Sequence, residues 1–196
     1  MINQLLDSVA KAKANDSYNS GRWVTNEEGT KLYEIALAGK FAYGIECGTA
    51  NGVSACFMAT AGLIVHTFDI VDRAKIWEKE LVHLKPNIVS YTEPFENEVQ
   101  GIVESLNRDG PILFFIDGDH STSGIYRDWN AVKPLLIRGD NIVFHDIRSA
   151  APVARFWSRL TGGEEGKSSR FHEYDTRRGI GHMVYDILDV PACPNG

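Results

Sequence analysis

Phe114-Phe115-Ile116-Asp117-Gly118-Asp119-His120 is the stretch that decides the fold. It continues an apolar run from Ile112. A run without polar alternation belongs to a strand covered on both faces. The run then breaks into Asp117, Asp119 and His120, all ionisable. Ligands of an open α/β sheet bind just beyond the carboxyl ends of its strands. These three side chains stand where such a fold gathers its chemistry.

Working outward, strand and helix signals alternate. Strands are expected at 41–46, 63–69, 87–92, 111–117 and 141–146. Between them lie a glycine turn running into a helix to 61, a helix at 72–84 capped by Asp72 and closed by Pro86, and a helix at 94–106 with Pro94 in its first turn. A turn at 107–110 follows. Ile125, Trp129, Val132 and Leu136 mark a further helix, bent near Pro134. A last helix covers 151–160. The pattern then changes to a polar loop at 162–169 and two strands, 170–174 and 180–187, joined by a short turn. So short a connection forces them antiparallel. At the other end, Ile2, Leu5, Leu6 and Val9 recur at helical spacing, and residues 13–21 read as a loop. Thr25 followed by Glu28 is a capping box that opens a second helix through Leu32, Ile35 and Ala36 to Gly39. The expected architecture is a three-layer, Rossmann-like α/β fold. Its seven-stranded sheet is mostly parallel and carries a C-terminal antiparallel hairpin. Residues 1–196 read as one domain, with 1–39 as a helical cap over one end of the sheet.

The formal net charge of −6 gives no bulk attraction for nucleic acid or an anionic membrane, so neither is expected as a partner. Cys47, Cys56 and Cys193 are odd in number and lack metal-ligand spacing; they read as isolated thiols in a reducing cytoplasm. The N-terminus has no basic region followed by an apolar core, and no apolar run approaches membrane-spanning length.

Glu46-Cys47-Gly48-Thr49-Ala50-Asn51-Gly52-Val53-Ser54 lies where a cofactor loop should, between the first strand and its helix. Gly48 and Gly52 permit close backbone approach. The helix N-terminus offers free N–H groups to a carboxylate or phosphate, and Ser54 adds a hydroxyl. Thr49 belongs to the same cofactor-binding set. Asp69 ends the second strand about twenty residues later, where an acid accepts both hydrogen bonds of a ribose diol. This pair leaves NAD and S-adenosylmethionine (SAM) both open. The turn is Glu-x-Gly-x-x-x-Gly, not the Gly-x-Gly-x-x-Gly of dinucleotide folds, and the hairpin departs from a simple doubly wound sheet.

At this point the chain resembles the class I SAM-dependent methyltransferases over nearly all of residues 41–188. Ile116-Asp117-Gly118-Asp119-His120, Arg127-Asp128-Trp129 and Phe144-His145-Asp146-Ile147 are similar to the small O-methyltransferase-like group that includes macrocin O-methyltransferase and the cephalosporin-hydroxylase-like proteins. The catechol-type O-methyltransferases are wider relatives. The resemblance implies a final strand inserted antiparallel. It implies that Glu46, Gly48 and Ser54 hold the methionine end of SAM, and that Asp69 holds its ribose.

Asp117, His145 and Asp146 end neighbouring strands and form a candidate site for a divalent metal, Mg or Mn. His145 stands where the catechol-type relatives carry an acid, which moves the preference away from Mg. His120, three residues past Asp117, is the candidate general base, since an imidazole titrates near neutral pH. Asp117 shares the catalytic assignment, and Asp119 is a candidate outer partner. Trp129 reads as core, His66 and His182 as structural. Glu93 is a candidate for the adenine or a solvated loop acid, and Arg22-Trp23 a candidate for part of a lid or a surface pair. The expected activity is methyl transfer to a hydroxyl of a small molecule. Alternatives are a metal-dependent oxidoreductase of the hydroxylase type and a non-catalytic cofactor-binding module. A chain this short also leaves room for a second copy to complete the acceptor pocket.

Overall fold

A computed structural model of the chain describes residues 2–14, 23–106, 108–163 and 169–186. Arg22, Asn107, Cys193, the loop at 164–168, most of the loop at 13–21 and the end of the last expected strand lie outside them. The strands are β1 (Tyr43–Cys47), β2 (Ile64–Phe68), β3 (Ile88–Tyr91), β4 (Leu113–Ile116), β5 (Asn141–His145), β6 (Ser169–Tyr174) and β7 (Ile180–Tyr185). The helices are α1 (Ile2–Lys13), α2 (Asn26–Gly39), α3 (Val53–Thr60), α4 (Phe95–Ser105), α5 (Thr122–Val132) and α6 (Ala151–Gly162). The sheet runs β3-β2-β1-β4-β5-β7-β6. The first five strands are parallel, and β7 is antiparallel to both β5 and β6. The expected seven-stranded, mostly parallel sheet with its antiparallel end is therefore present.

Side chains alternate along each strand, so the central apolar run feeds both layers. Leu113 and Phe115 join a core with α1, α2 and α3. Phe114 and Ile116 join a second core with α4, α5 and α6. All four are at most 2% exposed. The N-terminal helices were expected over one end of the sheet. Instead they lie on one face, because Leu5, Val9, Leu32 and Ala36 bury against α3. At the base of the sheet, buried Asp140 accepts from Ile112 N and Ile137 N, both at 2.8 Å, and pairs with Arg108. This ties β4 to the turn that starts β5.

The helix expected at 72–84 does not form. Two 3₁₀ turns, Ile76–Glu78 and Val82–Asn87, take its place. The backbone here bonds to the cofactor loop: Ile76 N donates to Asn51 O at 3.0 Å, and Asn51 Nδ2 donates to Ala74 O at 3.0 Å. Trp77 lies against Gly52, where a Cβ would stand 1.8 Å from the ring. Those contacts use groups that a helix would bond internally. Asp72, the expected cap, is an exposed partner 3.8 Å from Lys75 Nζ. The helix expected to bend at Pro134 stops at Val132 and tightens into a 3₁₀ turn over Lys133–Leu135.

Candidate active site

The carboxyl ends of β1, β2, β4 and β5 open onto a cavity of about 630 Å³. Its walls include Ala50 and Asp69 on the β2 side, Gly48 and Asp117 where β1 and β4 end side by side, and His120, Asp146, Ser149 and Arg178 beyond them. Phe68, Ile70, Val71, Glu93 and Phe95 supply a largely apolar flank.

The side nearer Asp69 is built by the turn after β1, the stretch expected to hold the cofactor. Gly48 N and Thr49 N both donate to Phe68 O, at 2.8 and 3.0 Å, bending the chain across the end of β2. Gly48 has φ +99, and a Cβ there would lie 2.2 Å from Asp117 O, so β1 and β4 touch backbone to backbone. Gly52 caps α3 with φ 79 and no side-chain cap, so the first-turn N–H groups are left to other acceptors. Ser54, with Trp23, Thr49 and Asn51, lines a small cleft beside this turn. The Thr49 hydroxyl points inward to Thr67 at 2.6 Å and its N–H is taken by Phe68 O, so Thr49 shapes the turn and offers the cavity no donor. Asp69 Oδ2 accepts from Ala50 N at 2.8 Å and from Arg73 at 3.2 Å, and Oδ1 accepts from Val71 N at 3.0 Å. That clasp fixes the carboxylate at the cavity wall.

Glu46 stands behind the turn rather than in the cavity. It is 0% exposed, its Oε2 accepts from Thr67 Oγ1, and Ser54 also bonds to it. Burial pushes its carboxyl up to about 8, beyond what Ser54 and Thr67 offset, with Asp117 and Asp69 adding repulsion. The sign of the effect on stability follows. Below pH about 4.5 the carboxyl is protonated in both folded and unfolded chains and costs nothing. Above that only the unfolded chain gives up its proton, so stability falls as pH rises toward 8. Glu46→Gln, which mimics the protonated form, is expected to stabilise the protein by about 3 kcal/mol at pH 7 and by nothing near pH 4. Urea denaturation at a series of pH values checks this. A gain that does not change with pH would contradict it.

At the other end, two imidazoles and two carboxylates interlock. His120 Nε2 lies 3.1 Å from Asp117 Oδ1 and 3.3 Å from Asp146 Oδ2. His145 Nδ1 lies 3.1 Å from the same Asp117 oxygen and 3.2 Å from the same Asp146 oxygen. His120 is on the open side, with 42% of its side chain exposed, while that of His145 is 1% exposed. Asp146 adopts φ 60, an uncommon conformation for a residue other than glycine, and its Oδ1 accepts from Ser149 Oγ. Burial alone would raise Asp117 and Asp146. The imidazoles overcome it and hold both below the usual carboxylate range, Asp146 at about 2. Burial alone would lower His145, but the surrounding Asp117, Asp146 and Glu28 carboxylates raise it well above the ordinary value. The hydrogen bond to Asp117 raises His120, partly opposed by burial.

His145 Nδ1 stays beside the two oxygens of its expected partners Asp117 and Asp146, and His120 joins them on the open side. Asp117, His120 and Asp146 each present one ligand atom, all within 4.8 Å of one another. His145 lies beneath them with both nitrogens turned to carboxylates. Asp119 does not touch Asp117; it accepts from Ser121 N and Ser121 Oγ, both at 2.9 Å, at the start of α5. Trp129 is core, 3% exposed. His66 bonds to Tyr91 and His182 to Asn141 within the sheet. Cys47 and Cys56 are buried free thiols. Three participants were missed. Glu28 is marked in the sequence only as a helix cap, and no pattern there marks Arg178 or Ser149 as part of the site.

Residues 45–147, more than half of the chain, match the family profile described as a methyltransferase domain. The chain belongs to this methyltransferase family, and its fold is the class I methyltransferase fold. Among solved structures it is similar to the O-methyltransferase TomG from Streptomyces achromogenes, involved in tomaymycin synthesis and in complex with SAM. The identity is 17%, covering 93% of this chain and 89% of that one, with a TM-score of 0.67. It is similar to the O-methyltransferase from Bacillus cereus in complex with SAH, at 18% identity, 93% and 90% coverage and a TM-score of 0.66. The SAH-bound methyltransferase PaMTH1 from Podospora anserina gives 12%, 93%, 87% and 0.68. No curated protein matches. Among the described residues no helix is long and apolar enough to cross a membrane.

Proposed function

We propose that the chain is a SAM-dependent O-methyltransferase acting on a hydroxyl of a small molecule. The observation that carries this reading is His120, half open to the cavity and braced by Asp117 and Asp146, at the end opposite Asp69. Family membership and the cofactors named for the solved relatives support it.

In this reading Asp69 takes the ribose diol, and the turn from Gly48 to Ser54 takes the methionine end. The apolar flank of Phe68, Ile70 and Phe95 takes the adenine. Bound so, SAM would supply an electrophilic methyl group, and Asp117, His120 and Asp146 at the ends of β4 and β5 would be the groups left to handle the acceptor. His120 accepts the proton of the acceptor hydroxyl as its oxygen attacks the methyl carbon. The O–C bond forms, the C–S bond breaks, its electron pair returns to sulfur, and SAH leaves. Alignment of the acceptor oxygen with the methyl carbon supplies much of the rate. The ring held between two carboxylates stabilises the proton it receives.

The residues present also fit a divalent ion. Asp117, Asp146 and His120 offer two oxygens and one nitrogen, a set that suits Mn²⁺ better than Mg²⁺. An ion held there would take up the His120 nitrogen and would supply Lewis acidity at the acceptor hydroxyl in place of His120 as base. Calorimetric titration with SAM, with and without Mn²⁺, tests the proposal. Saturable binding is expected for the wild type, with at least a tenfold loss in Asp69→Ala. No binding under either condition would sink it. Bound iron with oxygen consumption would favour the hydroxylase alternative.

A further inference from the structure

Glu28 does more than cap α2. As the capping-box residue its Oε2 accepts from Thr25 N at 2.7 Å. A residue in the first turn of a helix has easy access to water, yet Glu28 is 1% exposed. Its Oε1 accepts from Arg178 N at 2.8 Å, in the turn between β6 and β7 and 150 positions along the chain. Its Oε2 also lies 3.3 Å from His145 Nε2. One carboxylate thus joins the start of α2, the end of β5 and the C-terminal hairpin.

The ring it touches is the one beneath the catalytic pair. His145 Nδ1 faces Asp117 Oδ1 and Asp146 Oδ2 at 3.1 and 3.2 Å, the same two oxygens that brace His120. An ionised carboxylate only accepts hydrogen bonds. The Glu28 carboxylate faces Nε2 as a close charge contact at 3.3 Å, outside hydrogen-bond geometry, while Nδ1 is hydrogen-bonded to Asp117 Oδ1 at 3.1 Å. A partner on one nitrogen fixes the orientation of a histidine and the work of its other nitrogen.

We propose that Glu28 is a positioning residue of the active site: it anchors His145 through Nε2, so that Nδ1 holds Asp117 and Asp146 at the spacing that braces His120. The inference rests on the methyltransferase reading for its kinetic consequence, but not for its geometry. Without the rear anchor the His145 ring can turn, and two carboxylates facing one imidazole lose their common clamp. The lowered Glu28 carboxyl, at about 2 despite its burial, is consistent with the contacts from His145, Thr25 and Arg178.

Two variants separate positioning from helix capping. Glu28→Gln keeps the size and one acceptor oxygen but removes the charge that faces His145 Nε2. Thr25→Ala removes the other half of the capping box without touching His145. The first readout is SAH release from SAM with a panel of phenols and sugars, together with SAM affinity. Glu28→Gln should lower kcat by about tenfold or more, the range for losing a partner behind a working histidine. SAM affinity should stay within about threefold, and Thr25→Ala should leave kcat within about twofold. The second readout is independent of activity: the ring ¹⁵N resonances of His145 in histidine-labelled protein. Glu28→Gln should shift them and Thr25→Ala should not. Equal losses of thermal stability in both variants, with kcat and the His145 resonances unchanged, would reduce Glu28 to a cap and overturn the proposal. If the wild type transfers methyl to no acceptor, the methyltransferase reading fails, while unmoved or moved resonances still decide the role of Glu28.

Discussion

Replacing His120 with alanine is expected to lower SAH release by about 10²–10⁴-fold, the usual contribution of a positioned general base. SAM affinity should change by no more than about twofold. The described partners of the ring are Asp117 and Asp146, on the acceptor side, and not the groups assigned to the ribose or the methionine end. The wild-type pH profile sharpens the test. A base works in its neutral form, and the Asp117 hydrogen bond raises His120 above 6.5. The rate should therefore climb with pH along a limb centred above 6.5, and His120→Ala should flatten that limb. A variant with unchanged turnover would remove His120 from the mechanism.

The second large effect is expected at Gly48. An alanine there must adopt φ near +99 and place its Cβ 2.2 Å from the backbone oxygen of Asp117. That oxygen moves only if the end of β4 moves. Backbone strain of about 1–3 kcal/mol and overpacking of a similar size add to a loss of roughly 3–5 kcal/mol. Gly62→Ala separates the two contributions. It has φ +101, and a Cβ there meets nothing within 4 Å, so it isolates the backbone strain. Urea unfolding of both variants, with SAM titration of whatever folds, measures the difference. Equal destabilisation at the two sites would show that the close approach of β1 to β4 is not what Gly48 protects.

Much of this was legible in residue order. The run from Ile112 to Ile116 announces a doubly covered strand because its side chains fill two cores at once. The Thr25–Glu28 box forms in full. Gly48, Asp69, Asp117 and His120 all reach the cavity wall. What could not be read depends on contacts between distant segments. Residues 72–84 carry helical signals, but Asn51 and Gly52, twenty positions earlier, claim their backbone and Trp77. Residue order places His145 beside Asp146 but does not say which way the ring turns. That is set by Glu28 behind it and by the φ of 60 that carries Asp146 around the end of β5. Spacing along the chain shows that two residues are close, not which atoms face each other.

The placement of β7 between β5 and β6 has a further consequence for how the protein is made. During synthesis β5 emerges with one side unpaired, and its antiparallel neighbour arrives only with residues 180–185. Until then Ile142, Val143 and Phe144 sit on an open strand edge, the kind that recruits other chains. Closing it requires pairings across some forty positions, which slows folding relative to local contacts. The nascent chain thus carries its aggregation hazard on the same strand that ends in His145, and it stays exposed until the hairpin docks.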